Sequence, residues 1–160
     1  MARGDIVLFT ATNSGNGRWT DQIIAWATKG PYVHVELDLG NGKWVGAHLD
    51  GISEIASWVG SDHVVVPTES LPADLDTAIA WAEAQVGKQY GWFDIISDGI
   101  KFAGIPLYLG SADHYDCSDF VTRCLILMED KKILPGLGDK AQEPHTVTPN
   151  DLARAAGIIK

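Results

Sequence analysis

Tyr115-Asp116-Cys117-Ser118-Asp119-Phe120-Val121-Thr122-Arg123-Cys124 sets a cysteine where a polar loop turns into an amphipathic helix. The apolar positions 117, 120, 121, 124, 125 and 128 fall at helical spacing and predict one buried stripe. Cys117 is thereby predicted at the N-terminus of a helix whose body packs in the core. Backbone dipoles at such an end favour negative charge and acidify a thiol placed there. Far upstream, Val33-His34-Val35-Glu36-Leu37 alternates with strand period. His34, Glu36 and Asp38 share one face, and Val33, Val35, Leu37 and Leu39 share the other. A strand imidazole beside a helix-terminal thiol meets the physical requirement for a cysteine nucleophile with its base. Two blander readings stand beside this one: a small buried core cysteine, and a strand whose polar face is half solvated.

The elements around these two segments are readable from punctuation and period. Gly4 to Thr10 reads as a short buried strand, and 20–28 as a short helix stopped by Gly30-Pro31. Tyr32 to Leu39 is a strand that turns at Gly40-Asn41-Gly42 into a second strand from Lys43 to Ala47. A third strand is expected near His63-Val64-Val65-Val66, closed by Pro67. Pro72 to Val86 predicts a helix with Leu75, Ile79, Ala82 and Val86 on its buried face, Asp74 and Asp76 in its first turn, and Gly87 at its end. A short helix is expected over 92–102 and a last one over 149–156. With no repeat, low-complexity segment or linker, the 160 residues are expected to form a single domain over 1–160.

Composition excludes several classes of partner. A net charge of −9 with scattered basic residues argues against nucleic acid or an anionic membrane surface. No apolar run approaches the roughly 20 residues of a membrane span. Met1-Ala2-Arg3-Gly4-Asp5 leads straight into a strand without a signal-peptide core, so a cytoplasmic location as synthesised is expected. Cys117 and Cys124 lie two helical turns apart, about 10.5 Å, too far for a disulfide. Both are expected as free thiols.

The remaining polar residues rank by their reach to His34. Gly46, His48 and Asp50 have the same parity on the returning strand, so across the hairpin they neighbour His34 and Glu36. His48 is the first choice to orient the imidazole and Glu36 the second. His63 and His145 are expected at the surface, and His114, three before Cys117, is an alternative base. His34, His48 and Cys117 together invite a zinc reading, but no Cys-x-x-Cys or His-Glu-x-x-His spacing supports it, and no metal or cofactor is expected. Gly15-Asn16-Gly17 is too short for a phosphate loop. Tyr90 and Trp92, with Tyr115, are candidates to wall a substrate pocket.

The order of motifs carries a resemblance that spans nearly the whole chain. Gly4-Asp5-Ile6-Val7, His34-Val35-Glu36, Gly46 to Ile52, Val86-Gly87-Lys88-Gln89-Tyr90-Gly91-Trp92, Asp116-Cys117-Ser118-Asp119 and Thr148-Pro149-Asn150-Asp151-Leu152 follow one another. This resembles the circularly permuted branch of the NlpC-type papain-like superfamily. There the histidine strand precedes the cysteine helix, as in YiiX-type bacterial proteins, the lecithin:retinol acyltransferase group, and small phage and prophage proteins. The resemblance implies an α+β fold with an antiparallel sheet packed on the nucleophile helix, Cys117 as nucleophile and His34 as base. Where relatives place Glu or His on the returning strand, this chain has Gly46, which leaves the orienting role open between His48 and Glu36.

The leading expectation is a cysteine hydrolase of the peptidase/amidase type that cleaves an amide bond in peptidoglycan stem peptides. Delivery to the cell wall or in a phage particle would bring it to that substrate. The second expectation is thioester or ester acyl chemistry on a lipid-like substrate. The third is a non-catalytic structural or adaptor component of a phage particle.

Overall fold

The structure is a computed structural model, and it describes residues 1–10, 29–48, 51–57, 63–88 and 116–160. Five strands form one sheet: β1 (Ile6–Thr10), β2 (Tyr32–Gly40), β3 (Lys43–His48), β4 (Gly51–Ala56) and β5 (His63–Val66). Their order is β4-β3-β2-β1-β5, and every neighbouring pair is antiparallel. The turn joining β2 to β3 places Asn41 at φ 55° and Gly42 at φ 73°. Two successive positive values define the mirror-type turn whose twist matches a hairpin, which is why Asn-Gly serves there.

Period-two alternation assigns the faces. On β1 and β2, Ile6 stands opposite Leu37 and Leu8 opposite Val35, and all four are fully buried in the core. Val45, Ala47, Ile52 and Val66 extend that apolar layer across the sheet. The opposite face carries Phe9, His34, Glu36, Trp44 and His48, whose rings and carboxylate touch one another.

Four α-helices lie among the described residues: α1 (Pro72–Gln85), α2 (Cys117–Leu127), α3 (Leu134–Leu137) and α4 (Pro149–Ala155). Helix α2 packs on β2, β3 and α1. Its expected stripe is present: Phe120, Val121, Cys124, Leu125 and Met128 have no exposed surface, and Cys117 is 7% exposed. Each such side chain contributes about 1.5–3 kcal/mol on burial, so packing rather than propensity holds this helix. Trp81 of α1 stacks on Phe120 with ring centroids 5.7 Å apart. Beyond α2, the buried carboxylate of Asp130 accepts from the backbone N–H groups of Glu69, Lys132 and Ile133, tying the chain after β5 to the start of α3.

Several expectations change. Strand β4 is an element the alternation does not announce: only Gly51 and Ile52 are buried along it, as befits an edge strand, so its period is weak. Its outer edge is held by Lys88, whose carbonyl accepts from Ile52 N–H, and by Gly87, whose N–H donates to Ile52. Helix α1 ends at Gln85, and Val86, assigned to the buried face, is its exposed cap. Gly87 does stop it, with φ 89°. His63 is not a surface residue: it is partly buried, its ring 5.4 Å from Trp44 and 5.9 Å from Phe9. His145 is exposed as expected. The helices expected over 20–28 and 92–102 lie outside the described residues. Among those described, no helix is long and apolar enough to cross a membrane.

Candidate active site

The N-terminal turn of α2 is built by its own side chains. Asp116 is the cap: its carboxylate accepts from Asp119 N–H at 2.6 Å and from the Ser118 hydroxyl at 3.0 Å. Asp119 in turn pairs with Arg123 one turn on, at 2.9 Å. Both carboxylates flanking Cys117 therefore have local partners. That leaves the thiol at the first helical position, where free backbone N–H groups concentrate.

His34 lies on β2, and its interaction with Cys117 raises the imidazole pKa. Its Nε2 is 3.1 Å from Glu36 Oε1. Glu36 Oε1 is also 3.4 Å from His48 Nε2, and the two imidazole centroids are 5.2 Å apart. The structure thus brings together Cys117, His34, Glu36 and His48 from β2, β3 and α2. Glu36 touches His34, and His48 touches the same carboxylate. Asp50, His114 and the pocket candidates Tyr90, Trp92 and Tyr115 lie outside the described residues.

On the polar face of β2, Glu36 is 1% exposed and Asp38 5%, whereas the His34 side chain keeps 26% exposure. Room for Glu36 comes from Gly46. A Cβ at position 46 would stand 2.9 Å from Glu36 Cγ, closer than side chains pack. The space over Gly46 is filled by the Glu36 carboxylate, from the histidine's own strand. Glu36 Oε2 is buried and has no hydrogen-bond partner among the described residues.

Burial alone would lower the pKa of His34. The hydrogen bonds and charges of Cys117 and Glu36 outweigh it and raise the value from 6.5 to about 10. The imidazolium is therefore the favoured form through the neutral range. Around the ring, Phe9 packs at 5.7 Å and adds an apolar wall.

No protein-family model matches this chain, and no curated protein matches it. The site accordingly rests on its own geometry.

One supporting residue was not singled out by the sequence. Asn150, in the first turn of α4, is fully buried. Its side chain accepts from Tyr32 N–H at 3.0 Å and donates to Tyr32 carbonyl at 2.8 Å. It serves as a backbone partner for the start of β2, two residues before His34. Gly30 makes the approach possible, since a Cβ there would overlap the Asn150 side chain at 2.2 Å. The signal was present in Thr148-Pro149-Asn150-Asp151. Thr148 and Asp151 form a reciprocal capping box, which fixes the helix start and frees Asn150 to point away from it.

Proposed function

We propose that this chain is a cysteine hydrolase with a single permuted papain-like domain, and that it cleaves an amide bond. The observation that carries the reading is one imidazole, His34, that pairs with a buried carboxylate and whose pKa is raised by a helix-terminal thiol. With Nε2 committed to Glu36, Nδ1 is the nitrogen that serves the sulfur. Cys117 as thiolate attacks the substrate carbonyl carbon, forming a C–S bond and pushing the carbonyl electrons onto oxygen. The free N–H groups of the first turn of α2 receive that oxyanion. As the C–N bond breaks, His34 gives its Nδ1 proton to the departing amine. Water, deprotonated by the now neutral His34, then cleaves the thioester and restores the thiolate–imidazolium pair. Glu36 holds the Nε2–H throughout and keeps the ring aimed at sulfur.

The order of sequence motifs supports peptidoglycan stem peptides as the substrate, because the resembled family includes amidases and peptidases of that class. Parent protein incubated with peptidoglycan fragments is expected to release new amino groups, and Cys117→Ala to release none. Equal release by both would refute the reading.

A further inference from the structure

The geometry points to a second use of the same face of the sheet: we propose that His34, Glu36 and His48 form a binding site for a divalent ion of the zinc class. One ligand atom from each lies within 4.8 Å of the other two. Two of the three donor–donor edges are already near the spacing that one shared ion imposes. His34 Nε2 to Glu36 Oε1 is 3.1 Å and His48 Nε2 to Glu36 Oε1 is 3.4 Å. Donors bound to one tetrahedral zinc at about 2.0–2.1 Å stand roughly 3.3 Å apart. A modest closing of the two imidazoles completes the third edge.

The donor chemistry agrees. Two imidazoles and one carboxylate are a set that zinc accepts with a fourth position left for water, and borderline nitrogen donors select it over magnesium or calcium. Glu36 supplies the second, independent observation. Its side chain is 2% exposed, sits in the space that Gly46 leaves open, and its Oε2 has no hydrogen-bond donor among the described residues. A buried carboxylate oxygen without a donor is costly, and a cation held by the carboxylate and the two rings would offset that cost. The ion takes the place of the proton between His34 Nε2 and Glu36, and that proton passes to solvent. Cys117 is not a ligand, since the donor group that lies within 4.8 Å comprises His34, Glu36 and His48 alone among the described residues.

A consequence, resting on the proposed hydrolase reading, is mutual exclusion. A ring held at Nε2 by metal is no longer held by Glu36 for proton transfer, so the ion would switch the thiol chemistry off.

The test titrates Co²⁺, and Zn²⁺ against a chromophoric chelator, into the parent chain and into His48→Ala, His48→Asn, Glu36→Gln and Cys117→Ala, with circular dichroism confirming that each is folded. One ion per parent chain is expected. The visible cobalt bands should appear without the near-ultraviolet charge-transfer band of a thiolate ligand. His48→Ala, His48→Asn and Glu36→Gln should weaken binding by more than the 10- to 100-fold that loss of an outer-shell partner typically causes. Cys117→Ala should leave binding intact. No stoichiometric binding, binding indifferent to both His48 variants, or loss of binding in Cys117→Ala would overturn the proposal. Because the readout is spectroscopic, failure here leaves the hydrolase reading standing, and an inactive chain that binds cobalt leaves this one standing.

Discussion

Cys117 and Cys124 sit on one stripe of α2, two turns apart, and both are buried free thiols. Their surroundings differ in kind. Cys124 faces only the core, has no exposed surface, and burial pushes its thiol well above the ordinary cysteine range. Cys117 keeps 7% exposure, begins the helix behind the Asp116 cap and raises the pKa of His34. Position along one helix, rather than residue type, separates a thiol enclosed by the core from one that meets an imidazole.

The largest effects should break the comparison at its reactive end. Cys117→Ala and His34→Ala are each expected to lower amide turnover by on the order of 10³-fold or more, since a nucleophile and its base act as a unit. Cys124→Ala should leave turnover near that of the parent while lowering stability by about 1–3 kcal/mol. Rates on one substrate, beside denaturant unfolding of each variant, check both. If Cys124→Ala were the inactive variant, the contrast would be reversed.

The supporting shell gives the next effects. Glu36→Gln removes the charge behind His34 and is expected to reduce turnover roughly 10²-fold, the lower end of what positioned proton transfer contributes. Gly46→Ala should have a similar sign, because a methyl 2.9 Å from Glu36 Cγ forces the carboxylate aside. A turnover in Gly46→Ala equal to the parent's would remove Glu36 from the account.

Stability changes follow in order of buried volume. Phe120→Ala empties the centre of the α2 stripe and should lower unfolding free energy by about 3–5 kcal/mol. Asn150→Ala strands two backbone groups of Tyr32 and should lower it by about 1–3 kcal/mol. It should also reduce turnover, because β2 loses its anchor next to His34, whereas Phe120→Ala acts mainly through folding.

The smallest effect is on pH dependence at the far end of the chain. Asp151 has its pKa lowered: burial would raise it, but the Lys140 ammonium and the Thr148 cap outweigh burial. Its contribution to stability is therefore present above the unfolded value of about 3.8 and is lost as pH falls through the depressed folded value. Lys140→Ala should flatten that acid-side slope in urea titrations without changing the alkaline side.

Much of this architecture was legible because its period is strong. The α2 stripe and the β2–β3 hairpin follow from apolar spacing and from Asn41-Gly42, and both candidate partners, Cys117 and His34, fall on those elements. Strand β4 was not legible, since its only buried residues, Gly51 and Ile52, are adjacent and leave little alternation to read. The contact of Glu36 with His34 also escaped sequence. His34 and Glu36 project from the same face of β2, and the space over Gly46 accommodates the Glu36 carboxylate where it meets His34. Asn150 was hidden for a related reason: its partner is the backbone of Tyr32, 118 positions away, and backbone carries no residue signature.

The state of the His34 ring tests the central pairing most directly. Its raised pKa means that its contribution to stability is complete below about 6.5 and disappears as pH rises through about 10. Ring resonances followed by NMR in the presence of chelator should show His34 still protonated at neutral pH, losing its proton near pH 10, and titrating at clearly lower pH in Cys117→Ala. A ring that titrates near 6.5 in the parent and is unmoved by removing the thiol would contradict the account.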